Sequence, residues 1–303
     1  MTQAITGQVS TLNRLRLLLI ALLTLLFATG SISVSSSAPT KEPNQQAKLY
    51  LTGSPLPVIP ETQRGLLAAN NLSSLSGNLQ GRLKDKLLEF NQEAKIAVSF
   101  YDLVAGVSLL DFNGHETFTA ASTYKIYAAA SIFQQIEDGS LDAETYFGEF
   151  PVLDCVEITI KYSDNDCVEA WLFEENFSSM AKTAKASGAK HSTFEEYDIK
   201  TTANDLISVL QSLYAGKLLS QAHTKLLLSY MEEQIWMDGI PAGWGDESKV
   251  FNKPGFLDEV HNDAAIIYSP KGDFALVIMT ETDNFSLIAK ITKDVFKEIM
   301  EYH

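Results

Sequence analysis

The stretch Phe118-Thr119-Ala120-Ala121-Ser122-Thr123-Tyr124-Lys125 decides how the rest of the chain is read. Ser122 and Lys125 stand three apart at the head of a helical pattern, about Thr123 to Glu137, that stops at Gly139. Residues three apart on a helix share a face, so the amine can approach the hydroxyl. A serine hydroxyl is a weak nucleophile until a base takes its proton. A lysine whose pKa falls through desolvation or a nearby cation can be that base. Backbone N–H groups at a helix start suit a developing oxyanion. Alone, Ser-x-x-Lys is common, and a capping serine beside a solvated lysine explains it equally well.

Two further stretches change that balance. Tyr162-Ser163-Asp164-Asn165 begins its Ser 41 positions beyond Ser122, between two helical patterns. A second serine can relay a proton to a leaving nitrogen, and an asparagine can orient a substrate amide and the lysine. Taken singly, Ser-Asp-Asn is an ordinary turn or helix-cap sequence. Lys253-Pro254-Gly255-Phe256 precedes the last pair of strand patterns. A lysine on an edge strand can lower the pKa of Ser163 and attract a substrate carboxylate. Taken singly, Pro-Gly is a turn pair.

In this order the three motifs resemble the Ser-x-x-Lys, Ser-Asp-Asn and Lys-Thr-Gly signature of class A β-lactamases and penicillin-binding proteins. The resemblance covers about residues 80 to 300. It extends through Phe118 to Leu141, Thr201 to Leu206, Ile240 to Gly243 and Asn262 to Ala265. It implies that Ser122 attacks the carbonyl of a β-lactam or D-alanyl peptide, with Lys125 helping to activate it. Ser163 would pass a proton to the leaving nitrogen, and Asn165 would position the amide. Lys253 would tune Ser163 and attract a carboxylate. The N–H groups of Ser122 and Phe256, beside Gly255, would form the oxyanion hole. No phosphate loop, dinucleotide fingerprint or metal-ligand spacing is present, so neither cofactor nor metal is expected.

The chain departs from that family pattern twice. Pro254 stands where the family has Thr or Ser, removing a hydroxyl for a substrate carboxylate; one such charge-assisted bond is worth about 1.5–3 kcal/mol. The family's Glu-x-x-Leu-Asn, which supplies a water-activating Glu, is missing from Gly188 to Lys200, GAKHSTFEEYDIK. Asp198 falls nearest to its place, with Glu195 and Glu196 close by; all three also suit a solvated acidic loop. Acylation machinery is therefore expected, and deacylation is the open question. Three readings follow: a β-lactamase-type hydrolase, a D,D-peptidase or penicillin-binding protein on cell-wall peptides, and a non-catalytic binding or scaffold relative.

Outside the motifs, the pattern runs helix (Leu79 to Asn91), strands (Lys95 to Leu103, Val107 to Phe112), a mostly helical middle, strands (Ala264 to Tyr268, Phe274 to Thr280) and a last helix (Phe285 to Glu301). The expected fold is two-lobed α+β: an antiparallel sheet flanked by the N- and C-terminal helices, plus a mostly helical lobe, with the site between them. The chain of 303 residues carries a formal net charge of -15. Such a surface disfavours nucleic acid. Arg14 and Arg16 precede an apolar run from Leu17 to Ala28 and a small polar stretch with Ser36 and Ala38. Residues 1–38 therefore read as a secretory signal or a membrane anchor, 39–76 as a proline-rich linker, and 77–303 as the main domain. The domain is expected outside the cytoplasmic membrane as a monomer, touching membrane only through its N-terminal segment. Cys155 and Cys167 read as two small buried thiols, with a disulfide left open by export.

Overall fold

The computed structural model describes residues 69–301, except 176, 197 and 246. The segment read as a signal or anchor, and residues 39–68 of the linker, lie outside the described residues. Helix α1, Ala69–Glu93, begins ahead of Gly77. Leu72, Leu75, Leu79 and Leu83 keep a spacing of three and four, which continues the helical stripe backward through the polar Asn and Ser positions.

Strands β1 (Ile96–Asp102) and β2 (Val107–Phe112) form a hairpin. Short strand β3 (Phe118–Thr119) leads into a 3₁₀ turn, Ala121–Tyr124, and helix α2 (Lys125–Asp138). Gly139, at φ 78°, ends α2 in the left-handed conformation that glycine adopts without strain. A small hairpin, β4 (Tyr146–Phe147) and β5 (Phe150–Pro151), precedes helices α3 (Val152–Lys161), α4 (Asp166–Glu175) and α5 (Ser178–Ser187). Strands β6 (Thr193–Glu195) and β7 (Asp198–Thr201) follow, then helices α6 (Ala203–Tyr214), α7 (Gln221–Glu232) and the short α8 (Ile240–Gly243). Strands β8 (Lys249–Leu257), β9 (Val260–Ser269) and β10 (Gly272–Thr280) and helix α9 (Ser286–Glu301) complete the order.

The main sheet runs β2-β1-β10-β9-β8, antiparallel throughout, so first and last strands share one layer. Period-two alternation divides its side chains between two cores. From β10, Phe274, Leu276 and Ile278 join Leu83 and Leu87 of α1 and Ile288, Ile291 and Val295 of α9. Ala275, Val277 and Met279 face the other way, onto Ile126, Phe133, Leu206 and Leu210 of the helical lobe. Strand β8 is left at the sheet's edge, against the turn that carries Ser122. The expected two-lobed α+β architecture is the observed one.

Two readings of the sequence need correction. The two cysteines are not free thiols: Cys155 and Cys167 form a disulfide between α3 and α4. Closing a loop of this length constrains the unfolded chain by about 3 kcal/mol in the loop-entropy description. The stretch GAKHSTFEEYDIK is not simply a loop, because β6 and β7 pair within it and β7 also pairs with β3. Its first turn is fastened by Asp205, whose carboxylate accepts from Lys190 N (3.0 Å), His191 N (2.7 Å) and Ser192 Oγ (2.7 Å).

Candidate active site

The Ser122 turn is held from three sides. Ala120 N donates to Ile199 O of β7 at 2.9 Å. Asn262 of β9 donates from Nδ2 to Thr119 O (2.9 Å) and Ala120 O (3.2 Å). Thr123 Oγ1 donates back to Ala120 O at 2.6 Å. Ala121 sits at φ 43°, a region that a residue with a Cβ occupies only when its surroundings impose it. Lys125 N closes the 3₁₀ turn on Ser122 O, which sets the lysine one turn beyond the serine. The Lys125 side chain is fully buried.

Lys125 Nζ donates to Ser163 O and to Asn165 Oδ1, each at 2.6 Å. Lys253 Nζ donates to Ser163 Oγ at 3.0 Å and to Pro254 O at 3.0 Å. Ser163 therefore lies between two buried ammonium groups, and its own backbone is left-handed at φ 61°. The segment that carries it is braced by the Cys155–Cys167 disulfide and by Asp164, whose carboxylate accepts from Cys167 N at 3.2 Å.

Burial lowers the pKa of Lys125 to about 8, against the raising charges of Asp164 and Glu169. Burial, and then the charge of Lys125, lower Lys253 to about 7, against Asp263. Asp263 lies on the far face of the sheet, where burial pushes it up to about 6 despite hydrogen bonds from Ile240 N and Asn252. The two lysines interact, so they titrate as a pair. Both hold their protons below about pH 7, where Lys125 cannot act as a base. Acylation of Ser122 is therefore expected to rise with pH across about 7 to 8 and then level off. The folded state should gain stability as pH rises from about 7 toward the ordinary lysine value of 10.5, because the unfolded chain then binds more protons. A rate profile flat from about pH 6 to 9 would exclude Lys125 as the base.

Strand β8 reaches the Ser122 turn through Gly255. A Cβ built there would lie 2.7 Å from both Ser122 N and Thr123 N and 3.1 Å from Ala120 O. Only a residue without a side chain lets the strand come this close. Phe256 follows at once along β8. Ser122, Lys125, Ser163, Asn165 and Lys253, with the backbone of Gly255 and Phe256, are thus brought together where the sheet edge meets the helical lobe.

Asp198 is placed differently. It starts β7, next to the Ile199 that accepts from Ala120, but its carboxylate pairs with Lys200 Nζ at 2.9 Å and is 61% exposed. Glu195 and Glu196 are also exposed. An acid that the sequence reading passed over acts on the lysine through its charge, after Asp164. Glu169 lies one turn beyond Asn165 on α4, with Glu169 N donating to Asn165 O at 2.9 Å. Its charge acts on both Lys125 and Tyr124. The i, i+4 spacing from Asn165 was the available signal, since residues so spaced are neighbours on one side of a helix. Among the described residues, no group of three or more His, Cys, Asp or Glu side chains is placed to hold a metal.

The profile of the β-lactamase enzyme family matches residues 78–299. The chain belongs to that family. Solved structures with the same fold include PBP-A, at a TM-score of 0.66 and 19% identity over 76% of this chain and 97% of that one. A tryptophan-to-aspartate mutant of the class A β-lactamase of the last common ancestor of Gram-negative bacteria gives 0.68 and 19% over 73% and 100%. A β-lactamase from Sphaerobacter thermophilus gives 0.63 and 17% over 76% and 96%. At these identities the likeness to solved structures is one of fold. Family membership makes this chain a serine β-lactamase-like or penicillin-binding-protein-like hydrolase in class, and leaves its substrate to be argued from the cleft.

Proposed function

We propose that the protein is an exported serine acyl-hydrolase that opens β-lactam amides through an acyl-enzyme on Ser122. The observation that carries this reading is the convergence on Ser163. Lys125 holds its carbonyl and Asn165, while Lys253 holds its hydroxyl. In the forward step, Lys125 in its free-base form takes the Ser122 proton as Oγ bonds the amide carbon. The developing oxyanion is met by the N–H groups of Ser122 and Phe256. As the C–N bond breaks, Ser163 gives its proton to the departing nitrogen and is reprotonated from the lysine pair. Asn165 orients the substrate amide. Residues 1–38 act in this reading as the export signal or anchor.

In the second step water attacks the ester carbon, the Oγ–C bond breaks, and a carboxylic acid leaves. Glu169 is the proposed base for that water, in place of Asp198, because it stands one turn beyond Asn165 on α4 while the Asp198 carboxylate pairs with Lys200. The exposure of Glu169 favours slow deacylation as a second reading, in which the chain behaves as a penicillin-binding protein on cell-wall peptides. Intact mass followed over time with excess penicillin G separates the two. Steady penicillin loss with a transient adduct supports hydrolysis, and a lasting adduct with little consumption supports the second reading. Glu169→Gln is expected to prolong the adduct at least about tenfold, and Asp198→Asn to leave its lifetime within about twofold. The reverse ranking would return the role to Asp198. Absence of any adduct would sink the acyl-serine reading for penicillin.

A further inference from the structure

Large apolar side chains are exposed on two segments that meet at the β8 side of the cleft. Ile235, Trp236 and Met237 are 53%, 37% and 42% exposed, and Phe256 and Leu257 are 41% and 54%. Apolar surface gathered beside a cleft marks a binding surface more often than surface scattered singly. The Trp236 segment spans the cleft's end. Ile235 N donates to Lys161 O beside the Ser163 segment (3.3 Å), and Trp236 O accepts from Asn252 Nδ2 of β8 (3.4 Å). The Trp236 and Phe256 rings meet edge to face at 5.2 Å. Phe256 also stacks on His261 at 5.9 Å and meets Phe285 at 5.9 Å. His261 and Phe285 close the set at 4.6 Å. His261 donates from Nδ1 to Thr282 O at 2.7 Å, since a carbonyl only accepts, and this fixes its ring as a wall.

The same flank is poorly equipped for an anion. Side chains alternate along a strand, so Pro254 and Phe256 project from the face opposite Lys253 and Gly255. The ammonium of Lys253 is fully buried and committed to Ser163 Oγ and Pro254 O. Pro254 offers no hydroxyl. The exposed charges next in line are negative: Asp258 and Glu259 in the β8–β9 turn, and Asp283 ahead of Phe285. Such a rim repels a carboxylate.

We propose that this flank is an aromatic subsite, built of Trp236, Phe256 and Phe285, that receives an uncharged and preferably aromatic group on the leaving-group side of the substrate instead of a carboxylate. The assignment rests on the acyl-serine reading of Ser122 and names its substrate class. Aromatic groups gain most from edge-to-face and stacked contact with such rings.

Three compounds with one acyl group test it: benzylpenicillin, its methyl ester and its benzyl ester. The readout is the second-order rate of Ser122 adduct formation by intact mass. The expected order is acid, methyl ester, benzyl ester, spanning at least about tenfold. Trp236→Ala and Phe285→Ala should each lower the benzyl ester rate about five- to tenfold. Both should lower the benzyl ester rate more than the acid rate, so that the span between the two narrows. Pro254→Thr should raise the acid rate and narrow the span. An adduct formed fastest with the free acid, or rates indifferent to esterification, overturns the subsite and leaves the acyl-serine reading standing. No adduct with any of the three overturns both.

Discussion

Ser122→Ala is expected to remove the covalent adduct with every acyl donor and to lower turnover by at least about 10⁴-fold, the scale seen when the nucleophile of a serine hydrolase is lost. The argument rests on position. Ser122 stands on a turn whose carbonyls are already satisfied by Asn262 and Thr123, so the hydroxyl is not needed to hold the turn. Its removal should therefore change stability by about 1 kcal/mol or less. That combination separates chemistry from folding: intact-mass spectra lose the adduct while the thermal midpoint stays close to that of the parent. An adduct that survives on the alanine variant would move the nucleophile elsewhere, and Ser163 would be the first place to look.

The proposed nucleophile is legible in the sequence and the proposed base is not, for a physical reason. Short motifs around Ser122, Ser163 and Lys253 are readable because each couples a local backbone form to a side-chain type. The strands β1, β2 and β10 are readable from their alternation, and the last helix from its apolar stripe. The disulfide is not readable in this way, because Cys155 and Cys167 suit a buried thiol as well as a bridge until α3 and α4 are seen side by side. The β6–β7 hairpin is short, and its residues Thr193 to Glu195 and Asp198 to Thr201 carry too few positions to declare a period. Glu169 falls between the two cases. Its spacing from Asn165 is visible in the chain, but its meaning depends on which face of α4 turns to Lys125. The aromatic flank is hidden more completely, since Trp236, Phe256 and Phe285 come from three separated segments and meet only across the sheet edge.

Gly255→Ala is the substitution expected to do most damage without touching a side chain of the proposed machinery. The added methyl would sit 2.7 Å from two backbone nitrogens and 3.1 Å from a backbone oxygen. Those atoms cannot swing aside as a side-chain tip can. Either β8 moves out or the Ser122 turn moves back. Asn262, fixed to the turn from the neighbouring strand, resists the second movement, and the β9 ladder resists the first. Forced packing of this kind costs about 1–3 kcal/mol of stability. The larger effect is on rate. Any outward shift of β8 carries the Phe256 N–H away from the place where the oxyanion forms, and loss of one such donor costs about 10² to 10³ in rate. The same shift moves Lys253 from Ser163. Acylation by the benzyl ester, measured as a second-order rate constant, should therefore fall by at least about 10²-fold, while a denaturant melt still reports a cooperative fold. A variant that acylates within about threefold of the parent would mean that β8 is not the wall of the reacting site, and that the oxyanion is stabilised from the Ser122 turn alone.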